Sequence, residues 1–305
     1  MHKPIYIYSS SNYHHAITNG LPSLNSKLKA ISGTNIRRVD RLTQLALIGS
    51  FQCKSGIVFP KATGLYLSSI YGSISNTAAV LAEIYQHGQL PKPLNFINSV
   101  SNAACFYLAK HLGILANNQF VSRDYFTLEA ALKLACIDLE IGNIEAALVG
   151  LVCEVDQNQK RHRQRLKIDQ KYALAEGSHW LYLSHHCEEM RALAKLTHVT
   201  EPIMGEDLNA YLKSISTAST TLLKVGFSDA VGEVKKENIL QELTAEEVSF
   251  ISTPLRHEFT TALQICGFIE DCKTSPTPYR YLYIDTDGNN RWSIIGLEKE
   301  STGNA

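Results

Sequence analysis

Hydrophobic positions in the chain follow two periods in turn. In "NNQFVSRDYFTLEAALKLACIDLEIGNIEAALVG", residues 117 to 150, Phe120 and Val121 read as a short strand and Arg123 to Phe126 as a tight turn. Leu128, Ala131, Leu132, Ala135 and Leu139 then recur at the spacing of one helical face, and Gly142 stops the helix. Ile144 to Val152 follows as an apolar run of buried-strand length. This strand-turn-helix has the layout of a catalytic unit, yet its helix opens with Tyr125, Phe126 and Thr127.

The same patterning extends along the chain. "PIYIYSS" predicts a first strand. In "RRVDRLTQLALIGSFQC" (37 to 53) Val39, Leu42, Leu45 and Ala46 fall at helical spacing, with Gly49 as a candidate stop. "TGLYLSSIYGSIS" (63 to 75) predicts a strand running into a polar turn, and "NTAAVLAEIYQHG" a helix ended by Gly88. "LPKPLNFINSVSNAACFYLAKHLGI" predicts a proline-constrained loop, then a helix from about Ser101 to His111 with Gly113 as its stop. Strands alternating with helices argue for an α/β sandwich with a largely parallel sheet.

Residues 156 to 171, "DQNQKRHRQRLKIDQK", carry six Lys/Arg and form a loop or a solvated helix. Residues 201 to 250 are more polar and predict two helices separated by a glycine-containing turn. "YRYLYIDTDGNNRWSIIGLE" predicts two strands joined at Asp287 to Asn290. No internal repeat, low-complexity tract or linker is visible.

Composition narrows the function classes. The chain has 305 residues, enough for a full core without metals or disulfides. Its 29 basic residues balance 29 acidic ones, so no global field favours nucleic acid or an anionic membrane. The seven cysteines are odd in number, scattered and set mostly in apolar contexts, which predicts reduced thiols in a cytoplasmic protein. No segment reaches the ~18 apolar residues of a membrane span, and neither a metal site nor a cofactor is predicted.

Several segments, in order, resemble the β-ketoacyl synthases of the thiolase-like fold. "RRVDRLTQLAL" resembles their arginine-rich helix start, "INSVSNAACFYLAKHLGI" the segment beside the nucleophile loop, and "ALKLACIDLEIGNIEAALVG" the helix and strand after the nucleophile. "AEGSHWLYLSHHCEEMRALAKLTHV" is similar to the Glu-Gly, strand, helix and strand that close the first half, and "DTDGNNRWSIIGLE" to the loop and last strand. The resemblance implies a thiolase-like layered α-β-α-β-α architecture with a shortened second half. It implies one compact unit made of an N-terminal half, 1–200, and a truncated C-terminal half, 201–305.

In that family a cysteine at the turn into the central helix accepts an acyl chain, its thiolate stabilised by the helix N-terminus. Counting back from "ALKLA" puts this position at Tyr125 or Phe126, neither of which can serve. Thr127 is the nearest hydroxyl, with a helix N-cap as its plainer role. The family also uses two histidines; Ser252 and Thr253 stand where the first is expected, and His257 matches at most the second. The resemblance therefore implies a chain length factor, a ketosynthase-like subunit without catalytic cysteine that pairs with an active ketosynthase in type II polyketide, fatty acid or aryl-polyene synthesis.

The implied pairing edge is Gln119, Phe120, Val121 and Ser122, with Asn102 beside it. Lys160, Arg161, Arg163, Arg165 and Lys167 are candidates for docking an acidic acyl carrier protein. Two rivals stand beside this expectation: a divergent acyltransferase, decarboxylase or thioester hydrolase using Thr127, His257 or a cysteine, and a module that binds anionic partners through the basic segment.

Overall fold

The computed structural model describes residues 3–17, 20–166, 168, 170, 172–216, 221–251, 259–275 and 277–299. The chain begins with strand β1 (Ile5–Ile17), helices α1 (Asn25–Ser32) and α2 (Arg41–Lys54), and strand β2 (Thr63–Ser68). Helices α3 (Ile74–Tyr85), α4 (Pro93–Asn98) and α5 (Ala103–Leu112) lead to strand β3 (Asn118–Val121). Helix α6 (Thr127–Glu140), strand β4 (Ala146–Cys153), helix α7 (Gln159–Leu166) and strand β5 (Leu174–Ser184) follow. The remainder starts with β6 (Ala194–Val199), β7 (Ile203–Met204), α8 (Gly205–Ser216), β8 (Leu223–Phe227) and α9 (Glu233–Leu243). It ends with β9 (Glu246–Glu247), α10 (Thr260–Thr274), β10 (Arg280–Thr286) and β11 (Arg291–Lys299).

The strands form one sheet in the order β3-β2-β4-β5-β1-β6-β11-β10-β8-β9, with β7 paired to β11. With the two-residue β7 set aside, the order read inward from either edge is the same: third, second, fourth, fifth, first. β2 is parallel to β3 and β4, as β8 is to β9 and β10. β5 runs antiparallel to β4 and β1, as β11 does to β10 and β6. A short antiparallel contact of Ile5 to Ile7 with β6 joins the two sets. The structure is thus an internal duplication that the sequence does not display, and its second set begins at β6.

Three apolar clusters define the layers. One face of the first set packs on α1, α2 and α5 through Leu28, Leu45, Ile48, Cys105 and Leu108. Its other face meets α6 and α10, which also contact Tyr281, Tyr283, Ile295 and Leu297 of the second set. Leu208, Leu212, Ile239 and Leu243 of α8 and α9 cover the far side of the second set. The result is the expected α-β-α-β-α layering, with α6 and α10 as the buried middle layer and a second half that is the shorter one.

Local chemistry explains the differences from the sequence-based expectations. Gly49 does not stop α2, which runs to Lys54; a Cβ at Gly49 would lie 2.8 Å from the Ser178 carbonyl oxygen, so the glycine lets the helix sit against β5. Asp40 caps α2 by accepting from the Thr43 amide at 3.2 Å. The proline-rich stretch forms α4, with Pro93 in its first turn, where a missing amide costs nothing. The polar region after residue 200 contains, besides two helices and the two-residue strands β7 and β9, the strand β8, in which Leu223, Val225 and Phe227 alternate with Lys224 and Gly226. No helix forms between β5 and β6.

Candidate functional site

α6 starts from a strained residue. Phe126 has φ 56 and ψ 41, the left-handed region, and caps the helix with no side-chain hydrogen bond. Its ring is 5 % exposed, so packing holds the backbone where sterics resist it. This is the geometry of a nucleophile elbow, a sharp strand-to-helix turn that lifts one side chain over a helix N-terminus. Of the two residues expected at this turn, Phe126 takes the left-handed apex, while Tyr125 is 46 % exposed beside it.

Thr127 is not the N-cap expected for it. It is the first residue of α6, it is buried, and its Oγ1 donates to the Arg123 carbonyl oxygen at 2.7 Å. Cys105 and Cys136 are equally unsuited to thiolate chemistry, since burial pushes both thiols up to about 12. Ser252, Thr253, His257 and Lys167 lie outside the described residues.

Next to the elbow is a cavity of about 630 Å³. Its walls come from the N-terminal turns of both central helices (Phe126 to Glu129, Thr260 and Thr261), the end of β10 (Tyr283, Asp285, Thr286) and Ser228 after β8. Ile70, Leu151, Leu166 and Ile168 supply apolar surface. Ligand sites in α/β folds lie at such carboxyl ends of strands and helix N-termini. Two acidic residues here were not singled out from the sequence. Glu129 is buried, and burial together with the Asp285 charge raises its carboxyl to about 8. Burial likewise raises Asp285 to about 6. The only hint in the sequence is that Glu129 falls beside the apolar face of α6.

The basic segment is the helix α7, and most of its charge is committed internally. Arg161 pairs with Asp156 at 2.9 Å, and Arg163 donates to the Tyr172 carbonyl oxygen at 2.8 Å. Arg165 lies 3.8 Å from Asp156, 2.9 Å from His162 Nδ1 and 4.5 Å from the centre of the Tyr71 ring. Lys160 is exposed.

β3 forms one edge of the sheet and pairs with β2 alone among the described residues. Gln119, Ser122 and Asn102 are exposed, Phe120 is half-buried against the outer helices, and Val121 is buried on the α6 side. Large apolar side chains stand exposed on the helices flanking this edge: Phe106 on α5, and Leu134, Ile137 and Ile141 on and just after α6. The Asp287 to Asn290 segment is hairpin chemistry, as expected: Asp287 Oδ1 accepts from the Asn289 and Arg291 amides at 2.8 and 3.1 Å. Glu176 does more than start a strand. It is fully buried within β5, takes both the Nε and the Nη of Arg41, and lies 2.9 Å from His15 Nε2.

No group of three or more potential metal ligands occurs among the described residues, and no helix is long and apolar enough to cross a membrane. No family model matches the chain, and no curated protein does. Solved structures do. A structure described as the ishigamide ketosynthase/chain length factor is similar over 97 % of this chain and 99 % of that one, with a TM-score of 0.73 at 16 % identity. A type II polyketide synthase acyl-carrier protein in complex with its ketosynthase bound to the hexaketide is similar over 98 % and 100 %, with a TM-score of 0.71 at 13 % identity. Ketosynthase twelve of the bacillaene polyketide synthase in Bacillus amyloliquefaciens is similar over 98 % and 75 %, with a TM-score of 0.66 at 12 % identity. Duplicated strand order, central helix pair and whole-chain superposition together give this protein the thiolase-like fold of ketosynthases and chain length factors.

Proposed function

We propose that the chain is a ketosynthase-like subunit of the chain length factor type, without condensing activity of its own. It pairs with an active β-ketoacyl-acyl carrier protein synthase in polyketide, fatty acid or aryl-polyene synthesis, and shapes the acyl pocket of the pair. The observation that carries this reading is Phe126 at the apex of the elbow, where an acyl-accepting enzyme needs a thiol or hydroxyl. A buried phenyl ring offers neither lone pair nor acid, and the neighbouring hydroxyl of Thr127 is tied to the Arg123 carbonyl oxygen.

The β3 edge supports a partner. An open strand flanked by exposed Phe106, Leu134, Ile137 and Ile141 is an aggregation risk if left bare. A ketosynthase subunit that added its own edge strand would cover both the backbone and the apolar rim. Neighbours of this fold include a ketosynthase/chain length factor and a carrier protein complex, which suits the same two partners here. Carrier docking through α7 falls mainly to Lys160 and the exposed side of Arg161, since Arg163 and Arg165 are held from within. The two halves, 1–200 and 201–305, act as a single unit in this assembly.

The test has two parts. Incubation of the purified chain with a labelled acyl thioester, followed by intact mass measurement, is expected to show no covalent acylation; stoichiometric label on Thr127 or any cysteine would overturn the inactive assignment. Co-expression with an active ketosynthase subunit is expected to yield a stable complex whose products neither chain makes alone.

A further inference from the structure

The internal duplication supplies a comparison within one molecule. β3 and β9 hold the same place in the two sets, each an edge strand beside a parallel neighbour. Their surroundings differ. β9 consists of the exposed Glu246 and Glu247, with Lys236 3.7 Å from Glu247, and a short charged edge of this kind resists a further strand. β3 is longer and carries no charge. Residues 228–245 reach β9 from β8 through α9 alone, whereas residues 69–117 between β2 and β3 carry α3 and α4 ahead of α5. α3 and α4 thus form an arm that the second set lacks among the described residues.

The polarity of this arm is inverted. Of the apolar side chains in α3 only Val80 is buried, and α4 buries Asn98 and none of its apolar side chains. Leu81, Ile84, Tyr85, Phe96, Ile97 and Val100 are exposed instead, Tyr85 at 82 % and Phe96 at 58 %. A monomer rarely leaves more than a few hundred Å² of apolar surface bare in one patch. The arm is nonetheless fixed to the body. The Ser75 amide donates to Glu154 Oε1 at 2.6 Å, Asn76 Nδ2 to the Asn95 carbonyl oxygen at 2.6 Å, and Asn98 Nδ2 to the Arg38 carbonyl oxygen at 3.3 Å. Its root lies at the edge strand, where Ser122 Oγ donates to the Ile70 carbonyl oxygen at 2.8 Å. There the Phe120 ring is 3.5 Å from where a Cβ on Gly72 would stand.

We propose that the α3–α4 arm is a docking face continuous with the β3 edge, and that its occupant is a second thiolase-like subunit presenting an apolar helical surface. This docking face rests on the pairing through β3 proposed above. Open peptide groups on β3 call for a strand, and a strand of a folded subunit arrives with helices flanking its sheet. The arm adjoins α5 on one side of β3, while Leu134 and Ile137 stand on α6 at the other, so such a subunit would cover both apolar rims. Charge excludes other occupants. Glu83, His87 and Lys92 are the charged or titrating groups of the arm apart from Tyr85, and Glu83 Oε2 already accepts the Lys92 amide at 3.2 Å. Little is left to attract a carrier protein or an anionic surface. With β9 blocked, the chain takes one partner through its sheet edges instead of extending an open-ended array.

Hydrogen exchange of the full chain, alone and in complex with an active ketosynthase subunit, tests this by mass spectrometry. Residues 81–100 are expected to exchange more slowly in the complex, and residues 233–247 at an unchanged rate. Tyr85→Asp combined with Ile97→Asp should weaken association by at least ~30-fold with an unchanged circular dichroism spectrum, since both side chains are already exposed. Glu246→Gln combined with Glu247→Gln should leave the affinity for the ketosynthase as it is. A complex whose arm exchanges as fast as in the free chain, or a folded Tyr85→Asp, Ile97→Asp protein that pairs as the parent does, would overturn the docking face while leaving pairing through β3 in place. Concentration-dependent protection of the arm before any ketosynthase is added would overturn it by giving the face to a second copy of this chain. Absence of any complex would overturn the pairing itself and the docking face with it. Should the double aspartate variant fail to fold, exchange in the parent complex decides the matter.

Discussion

Phe126 in the left-handed region costs on the order of 1–3 kcal/mol of backbone strain, offset by burial of its ring. Glycine reaches that conformation freely and alanine does not. Phe126→Gly should therefore be more stable than Phe126→Ala by about 1 kcal/mol, the reverse of the usual preference near a helix, as measured by urea unfolding. A second buried acid makes a pH-linked prediction. Glu154 is 4 % exposed; burial, then the Asp40 charge, raises it to about 8, although its Oε1 accepts the Ser75 amide at 2.6 Å. A carboxyl whose folded pKa exceeds its unfolded value of about 4.3 contributes stability that is full below that value and lost as pH rises toward 8. Glu154→Gln keeps the acceptor for Ser75 and never ionises. At pH 8 it should gain on the order of 3 kcal/mol over the parent protein, and near pH 4 almost nothing. Arg41 is the opposite case. Burial works against the Glu176 charge, but His15 and Arg41 outweigh it and hold the carboxyl below its usual range. Arg41→Ala should cost roughly 3 kcal/mol by stranding that buried carboxylate.

At the level of elements, the edge strand separates two kinds of damage. The Ser69 amide bonds to the Val121 carbonyl oxygen at 3.0 Å and the Leu65 amide to the Asn117 carbonyl oxygen at 2.7 Å, so odd-numbered residues of β3 face β2. Alternation turns the Asn118 and Phe120 peptide groups to the open edge. Phe120→Pro should then remove a donor offered to a partner and leave the β2 ladder intact, whereas Val121→Pro should damage the β2 pairing inside the chain. Size-exclusion chromatography of the complex, beside thermal unfolding of the single chain, distinguishes these outcomes. This alternation also marks what the sequence could reveal. Apolar spacing located α2, α6, β4 and the β10–β11 hairpin because each buries a regular face. It left β8 hidden, since a five-residue strand offers only Leu223, Val225 and Phe227 among polar neighbours. The duplicated strand order was equally invisible, because a topology constrains which positions are apolar and not which residues fill them. The acidic pair escaped for a related reason: Glu129 and Asp285 meet only when α6 and β10 pack across the central layer, and nothing local links them.

Across the whole molecule, helix α6 links one surface to one cavity. α6 starts at the elbow, borders the cavity with its first turn, and exposes Leu134 and Ile137 beside the β3 edge further along. A partner gripping that rim would therefore clamp the helix whose N-terminus shapes the pocket. A sheet-to-sheet contact with its flanking helices belongs to the large obligate class, on the order of 2,000 Å² or more. Leu134→Asp combined with Ile141→Asp should weaken association by at least ~30-fold, the ~2 kcal/mol of a hot spot, without unfolding the chain, since both side chains are already exposed. Tyr125→Ala combined with Phe126→Ala acts at the other end of the same helix. It removes two aromatic rings, each of roughly 150–250 Å², from the wall beside the turn while leaving the β3 edge untouched. The complex should still form in gel filtration, and mass spectrometry of its products should show a changed distribution of chain lengths. Unchanged products from a complex of the double alanine variant would mean that the elbow has no part in setting length, and a stable, fully functional monomer would remove the reason for a partner.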